Sequence, residues 1–526
     1  MAAGEMDDPQ PLPEPSTASS ASSADVYPEE HKRPGDCFFS CGGGDTLGLR
    51  QWLGAALTVL FGIGFAVGET KTDLPEAQYR TLAVTSVVAT LWICEVLPIP
   101  ITGMLVGPLL YLSGVCSFED ALSPYMSNLT LVLFGSSMIA LAMERHGLDF
   151  RFADAVASCR WVGKSPTRLR GAIMVAGCLL SMWITNTGAT YILTPIVMRS
   201  MGATRGRPLH SQRAQQTLTG SLLSVAYACN CGGMGTMVGT PSNLVVTRYL
   251  AEEGVHIGFV SWLTFGVPAA LLVTTVCYGS LFLCYRPQTA ANVEVLHSSH
   301  PVAWTRGEKA VLGSFLLTLG LWIIPSIYSL AGGPGHQELE SKLKAGISVI
   351  LGTVPLYLIP DTGNCRVMPW STAQKADWGI IMLIGGGVVL GKRMLSTGLA
   401  DTIAAYLIAV TGITSVWLLA LVGILCTIFL TEVTSNTATT SLMVPMIMAI
   451  SKAINPDPRL AAAPAVGVAL AASCAFMLPI ATPPNYIIVE TGHVDMGSMA
   501  KVGVLTNVLA AFALWIVLRL FLPLVV

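Results

Sequence analysis

The stretch from Gly171 to Met198 contains no charged residue, yet both of its flanks are basic. Arg151, Arg160, Lys164, Arg168 and Arg170 precede it, and Arg199, Arg205, Arg207 and Arg213 follow it. A run this long and apolar suits a bilayer core, whose thickness is about 30 Å. Lys and Arg beside membrane segments gather on the cytoplasmic side, so both ends are expected there. A segment whose ends share a side does not cross. It is expected to enter and return as a re-entrant hairpin over about 171–199. Thr185-Asn186-Thr187-Gly188 lies at its centre, where such residues compete with or loosen the helical ladder. An opened backbone at that depth is tolerated only where protein buries it or a cavity adjoins it.

Composition agrees with a membrane chain. The 526 residues are 52% hydrophobic and 11% charged, with a mean hydropathy of +0.63. Soluble domains carry roughly 25% charged residues. A net charge of -2 gives no indication of nucleic acid. Apolar spans read near 51–68, 81–97, 99–114, 127–147, 214–250, 258–285, 308–328, 342–360, 378–396, 460–490 and 500–524. Leu97-Pro98-Ile99-Pro100 separates the second from the third, because a single helix does not absorb that proline pair. Residues 1–45 form a polar tail rich in Pro, Ser, Ala and acidic residues, expected to be disordered and cytoplasmic. Its Cys37–Cys41 pair is a weak candidate for lipidation. The remaining cysteines lie mostly in apolar segments with no zinc spacing, and read as buried thiols.

The hairpin pattern recurs. Thr431-Glu432-Val433-Thr434-Ser435-Asn436-Thr437-Ala438-Thr439-Thr440 repeats the first tip, and a proline follows each (Pro195, Pro445). A glycine-containing span precedes each, and a broken helix follows each: Gly239-Thr240-Pro241-Ser242-Asn243, then Ala481-Thr482-Pro483-Pro484-Asn485. Three matched elements in one order make an internal repeat. Five spans separate the hairpins, so the second is expected to enter from the opposite face. No Lys or Arg lies between Leu395 and Ile450, in keeping with that. The expected domains are the tail, a first repeat over 46–290 with its leading helix, and an inverted second repeat over 291–526. Such repeats are the architecture of secondary transporters.

The chemistry follows from the breaks. Half-helices beginning near Gly188 and Ala438 offer free N–H groups and positive dipole ends to a carboxylate. Half-helices ending before the tips offer carbonyls that, with hydroxyl and amide oxygens, suit a hard monovalent cation such as sodium. A single Ser/Thr-rich tip is more often helix glue. Two tips with two broken helices demand a cavity, and binding is the better reading. Glu432 and Glu95 are carboxylates at or near membrane depth, which default to functional suspects. Glu432 is a candidate for tuning the second ion site, and Glu95 for a structural ion pair. Lys392 and Arg393 read as a snorkelling helix end. Gly385-Gly386-Gly387 lacks the strand and GK[ST] of a phosphate loop, so close helix packing is expected. Asn128-Leu129-Thr130 is a glycosylation sequon set against a membrane span. A membrane enzyme would need a clustered acid, base or metal set, and the sequence offers none. A passive channel has no use for two hairpins that close the path from opposite sides.

The TNT and SNT tips, the GTPSN and ATPPN loops, TEVTSNTATT and WICEVLPIPITG (Trp92–Gly103) resemble the divalent anion–sodium symporter family. That family contains sodium-coupled carriers of di- and tricarboxylates and sulfate, and the resemblance covers nearly everything after about residue 50. It implies an all-α polytopic fold with about eleven transmembrane helices and two re-entrant hairpins. It also implies a homodimer joined by scaffold domains and elevator-type movement. By position, it implies a first sodium site from Ser181, Thr185, Asn186 and Gly239. A second would come from Thr431, Thr434, Ser435, Asn436 and Ala481. Carboxylate contacts would come from Asn186, Thr187, Asn436 and Thr437, with Thr240, Pro241, Thr482 and Pro483. Sodium would be the coupling ion, with no other cofactor. Thr185 stands where the family usually has Ser, which keeps the hydroxyl and adds a methyl. The alternative is therefore a sodium-independent carboxylate exchanger or a sulfate carrier. The membrane is the plasma membrane or an internal, vacuolar one.

Overall fold

The computed structural model describes residues 48–68, 74–157, 165–205, 209, 211–287, 303–330, 338–339, 342–361 and 365–524. The tail with Cys37 and Cys41, Arg160, Lys164, Arg207 and the expected repeat boundary at 290/291 lie outside the described residues. All principal elements are helices, and no strand occurs among the described residues.

Helix α1 (Leu49–Gly68) leads. Helices α2 (Glu76–Cys94), α3 (Ile99–Leu112) and α4 (Asn128–His146) follow. A short amphipathic helix α5 (Leu148–Ala157) then leads into the first hairpin, α6 (Pro166–Ser181) and α7 (Asn186–Ser200). The broken helix is α8 (Gln212–Gly232) and α9 (Pro241–Glu252), and α10 (Phe259–Cys284) closes the series. The same succession then returns. It comprises α11 (Arg306–Leu330), α12 (Ala345–Leu358), α13 (Trp378–Ser396) and a short α14 (Leu399–Thr411). The second hairpin is α15 (Val416–Thr431) and α16 (Asn436–Ile454). The second broken helix is α17 (Pro458–Ala471) and α18 (Pro483–Glu490), and α19 (Met496–Phe521) ends the chain.

Local chemistry sets these boundaries. Pro98 and Pro100 cannot extend α2, and its last turn closes on Glu95 in a left-handed conformation, φ 49°. The carboxylate of Asp377 caps α13 through the N–H groups of Gly379 and Ile380, and Asp495 caps α19 through Ser498. Pro241 and Pro483 occupy the first turns of α9 and α18, where the missing N–H costs nothing.

Among the described residues six helices are long and apolar enough to cross a membrane, and the chain is a multi-pass integral membrane protein. Of the other expected spans, α3 and α12 are short at 14 residues and two are broken at their centres, while α1 and α2 run 20 and 19 residues. Helix α16 is itself long and apolar enough to cross, although the sequence places it as a hairpin arm. The arms are 16 and 15 residues in the first hairpin and 16 and 19 in the second. The first hairpin outruns the expected 171–199 at its leading end, since α6 starts at Pro166, and α7 and α16 start at Asn186 and Asn436, ahead of Gly188 and Ala438. Helix α14 meets α15 at a bend of 97°.

The glycine run packs as expected. A Cβ on Gly386 would sit 2.1 Å from the Gly103 carbonyl, so α3 and α13 touch backbone to backbone. Tyr125 seals the seam, its hydroxyl donating to the Gly103 carbonyl at 2.7 Å. Arg393, in the last turn of α13, is largely buried and pairs with Asp120 at 3.4 Å. Asn128 uses its side-chain oxygen to accept the Gly346 N–H at 2.9 Å.

Candidate functional site: two hairpin tips facing two unwound loops

Each tip is a short turn between half-helices, and the two are built alike. In the first, the Ser181 hydroxyl donates to the Asn186 side-chain oxygen at 2.5 Å. In the second, the Thr431 hydroxyl donates to the matching oxygen of Asn436 at 2.6 Å. A hydroxyl at the end of one half-helix thereby fixes the amide that begins the next. Thr185 accepts the Gly188 N–H at 3.1 Å as the N-cap of α7. Ser435 holds the same N-cap position and makes no capping bond with its side chain. The Thr434 hydroxyl shares a 2.5 Å hydrogen bond with Thr439. Thr185 is exposed, Asn186, Thr187, Ser435 and Asn436 are half-buried, and Thr437 is buried.

The loops face the tips. In the first loop, Asn243 donates to the carbonyls of Gly233 and Thr236 at 2.9 and 2.8 Å. In the second, Asn485 donates to the matching carbonyls of Ala475 and Leu478 at 2.9 and 3.0 Å. Both loops are thus the same turn, tied by the asparagine that ends each motif. Gly233 lies directly against the first tip, since a Cβ there would meet the Asn186 side-chain oxygen at 2.8 Å. Gly239 folds back on the Gly233 carbonyl, where a Cβ would stand 2.6 Å away. Thr240 and Thr482 adopt nearly identical extended backbones before Pro241 and Pro483, and neither spends its hydroxyl on capping. Ala481 sits buried just before the second pair. The sequence-derived residues therefore form two clusters, one around each tip.

Three residues that the sequence reading missed connect and support these clusters. Asn230, at the end of α8, donates to the Asn485 oxygen at 3.3 Å and accepts from Thr482 at 3.5 Å. Tyr227, one turn earlier, donates to the Phe476 carbonyl at 2.7 Å. A residue of the first broken helix thus holds the second loop. The only sign in the sequence was an asparagine inside an apolar helix, between Cys229 and Cys231. Asn507 in α19 is the third; it donates to Glu432 at 2.7 Å. Glu432 itself is buried, and its carboxylate accepts the N–H groups of Phe476, Met477 and Leu478 at 2.8, 2.9 and 3.0 Å. A carboxylate so saturated organises the loop.

Comparison with known proteins matches this geometry to a family. A profile of the citrate transporter family matches residues 89–467. The chain belongs to the divalent anion–sodium symporter family. Within it, the chain is 30% identical over 479 residues to the sodium-dependent dicarboxylate transporter of Staphylococcus saprophyticus, spanning 86% of this chain and 87% of that one. The transporter of the same name from Staphylococcus aureus is 30% identical over 469 residues, covering 86% and 88%. The solved structure of the Alcanivorax borkumensis YdaH transporter superposes with a TM-score of 0.55 at 14% identity, over 91% of this chain and 99% of that one. That likeness concerns the fold.

Proposed function

We propose that this symporter-family protein is a secondary active transporter that carries di- or tricarboxylates of the succinate, malate and citrate class, coupled to sodium. The observation that carries the reading is the pair of Asn-tipped turns, each facing an unwound loop, joined through Asn230. In the proposed site, Asn186, Thr187, Asn436 and Thr437, with Thr240, Pro241, Thr482 and Pro483, receive the carboxylates. Half-helix N-termini and unspent hydroxyls suit an anion there without a fixed cationic side chain. Ser181, Thr185, Asn186 and Gly239 hold one sodium, and Thr431, Thr434, Ser435, Asn436 and Ala481 the other. The oxygens of these residues are those a hard monovalent cation prefers. The names of the staphylococcal relatives support both cargo and coupling ion.

The repeated succession of helices supports two inverted repeats, 46–290 and 291–526, with eleven crossings and a cytoplasmic N-terminus. The hairpins, the broken helices, α10 and α19 then move as one body against α2–α4 and α11–α13, as an elevator within a homodimer. Thr185 favours a second reading, a sodium-independent exchanger or sulfate carrier on the same fold, since its extra methyl adjoins the first ion site. The test is uptake of labelled succinate into proteoliposomes under an inward sodium or choline gradient, with and without dicarboxylate inside. Sodium-dependent uptake indifferent to preloading is expected. Uptake that ignores sodium and requires preloading would establish the exchanger instead.

A further inference from the structure

In the conformation described, both hairpin tips are held at the residue three positions before the asparagine, and by different means. In the first, Trp183 packs edge-on against Phe315 of α11, ring centroids 5.1 Å apart, and against Phe259 at 6.2 Å. In the second the matching residue is Val433, which is 45% exposed. Its backbone carbonyl is held instead. The Arg50 guanidinium, on α1, donates to it at 2.9 Å and also donates to the Ile93 carbonyl.

The arginine is itself fixed. Glu95 lies 3.8 Å away, and Gln51 donates to the Glu95 carbonyl at 3.3 Å. Glu95 is the only non-glycine residue with positive φ among those described, a conformation that costs energy and persists where its surroundings impose it. Helix α1 approaches closely here, with Gly54 directly against Cys94 and Val96. A leading helix, a strained helix end and a hairpin tip thus converge on one guanidinium.

We infer that Arg50 is a positioning residue for the second hairpin. It fixes the Val433–Thr434 peptide, which leads into Ser435 and Asn436, and so presets the orientation of the oxygens there. The inference rests on the sodium-coupled transport reading for its effect on ion affinity, and on geometry alone for the clamp. Glu95 sets the guanidinium by charge and Gln51 sets Glu95 by its amide; neither touches the tip.

The test compares the full-length protein with Arg50→Ala and Arg50→Lys in proteoliposomes. Amide hydrogen exchange is followed at both tips beside sodium-dependent succinate uptake. Loss of a charge-assisted hydrogen bond at a half-exposed site is expected to speed exchange at Val433–Asn436 about fivefold, with Ser181–Asn186 unchanged. The sodium half-saturation is expected to rise by about the same factor, with the maximal rate within about twofold. Arg50→Lys should recover part of both effects, since an ammonium keeps the charge without the fork. Unchanged exchange at the second tip, or equal acceleration at both, would overturn the clamp. Wild-type uptake without sodium would remove the transport reading, and exchange would still decide the clamp.

Discussion

The two unwound loops share one turn and one tying asparagine, yet the hairpins grip them differently. The second is seized by a carboxylate: Glu432 reaches from its own hairpin into three successive backbone N–H groups, braced by Asn507. At the matching position the first hairpin has Met182. There the contact is a hydroxyl on a carbonyl, Thr236 to Met182 at 2.5 Å, with Gly235 pressed on the methionine side chain. Asn485 has its side-chain oxygen satisfied by Asn230, whereas the buried oxygen of Asn243 has no hydrogen-bond partner among the described residues. The lesson is that a repeat conserves backbone shape while redistributing what holds it. One half is preorganised by charge. The other is held by packing and a hydroxyl on a carbonyl.

This contrast is sharpest at Glu432. Glu432→Ala would strand the buried N–H of Phe476, the half-buried N–H groups of Met477 and Leu478 and the Asn507 amide, a cost of about 3 kcal/mol or more. Transport and thermal stability should both fall steeply, measured by uptake and by unfolding in detergent. Met182→Ala should cost about 2 kcal/mol or more by leaving a cavity, while its capacity to bind is kept. Equal loss of binding in the two variants would erase the distinction.

Gly233 and Ala475 give a second test, because they occupy the same place in the two turns. Gly233→Ala drives a methyl into Asn186 and should cost about 1–3 kcal/mol, read as weakened substrate-dependent stabilisation. Ala475→Gly should cost about 1 kcal/mol or less. Next come the hydroxyls. Ser181→Ala and Thr431→Val each remove one hydrogen bond to an asparagine, a loss of about 1 kcal/mol. Thr431→Val should be the worse, since that hydroxyl also reaches the Ala472 carbonyl at 3.1 Å. Sodium titration of uptake ranks them. Smallest of all, Thr185→Ser keeps the Gly188 cap and should change stability by about 0.5 kcal/mol or less. A sodium requirement that strengthens on removing the methyl would mark the first site as the one it crowds.

Much of this was legible in sequence because the pattern is local. Basic flanks about an uncharged run, a polar Thr-Asn-Thr-Gly centre and a second copy were enough to find both hairpins and both broken helices. Helix starts were misread by two residues, because Thr185 and Ser435 act as N-caps and the helix begins at the asparagine itself. Helices α5 and α14 were not counted, since each is too short and too amphipathic to register as a span. Partnerships between segments distant in the chain are invisible in it. Nothing near Asn230 in the chain announces Asn485, and nothing near Glu432 announces Phe476 or Asn507. Such contacts belong to the packing of distant segments, which hydropathy does not encode.

Asn230 has a consequence beyond support. Its side chain sits at the end of the helix that opens into the first loop, while its amide group grips the second. Whatever tightens the second loop therefore also steadies the end of α8, and the reverse holds equally. Linkage of this kind is reciprocal by thermodynamic necessity. Were both tips to bind as proposed, the coupling between them would run through a single amide, over a few ångströms.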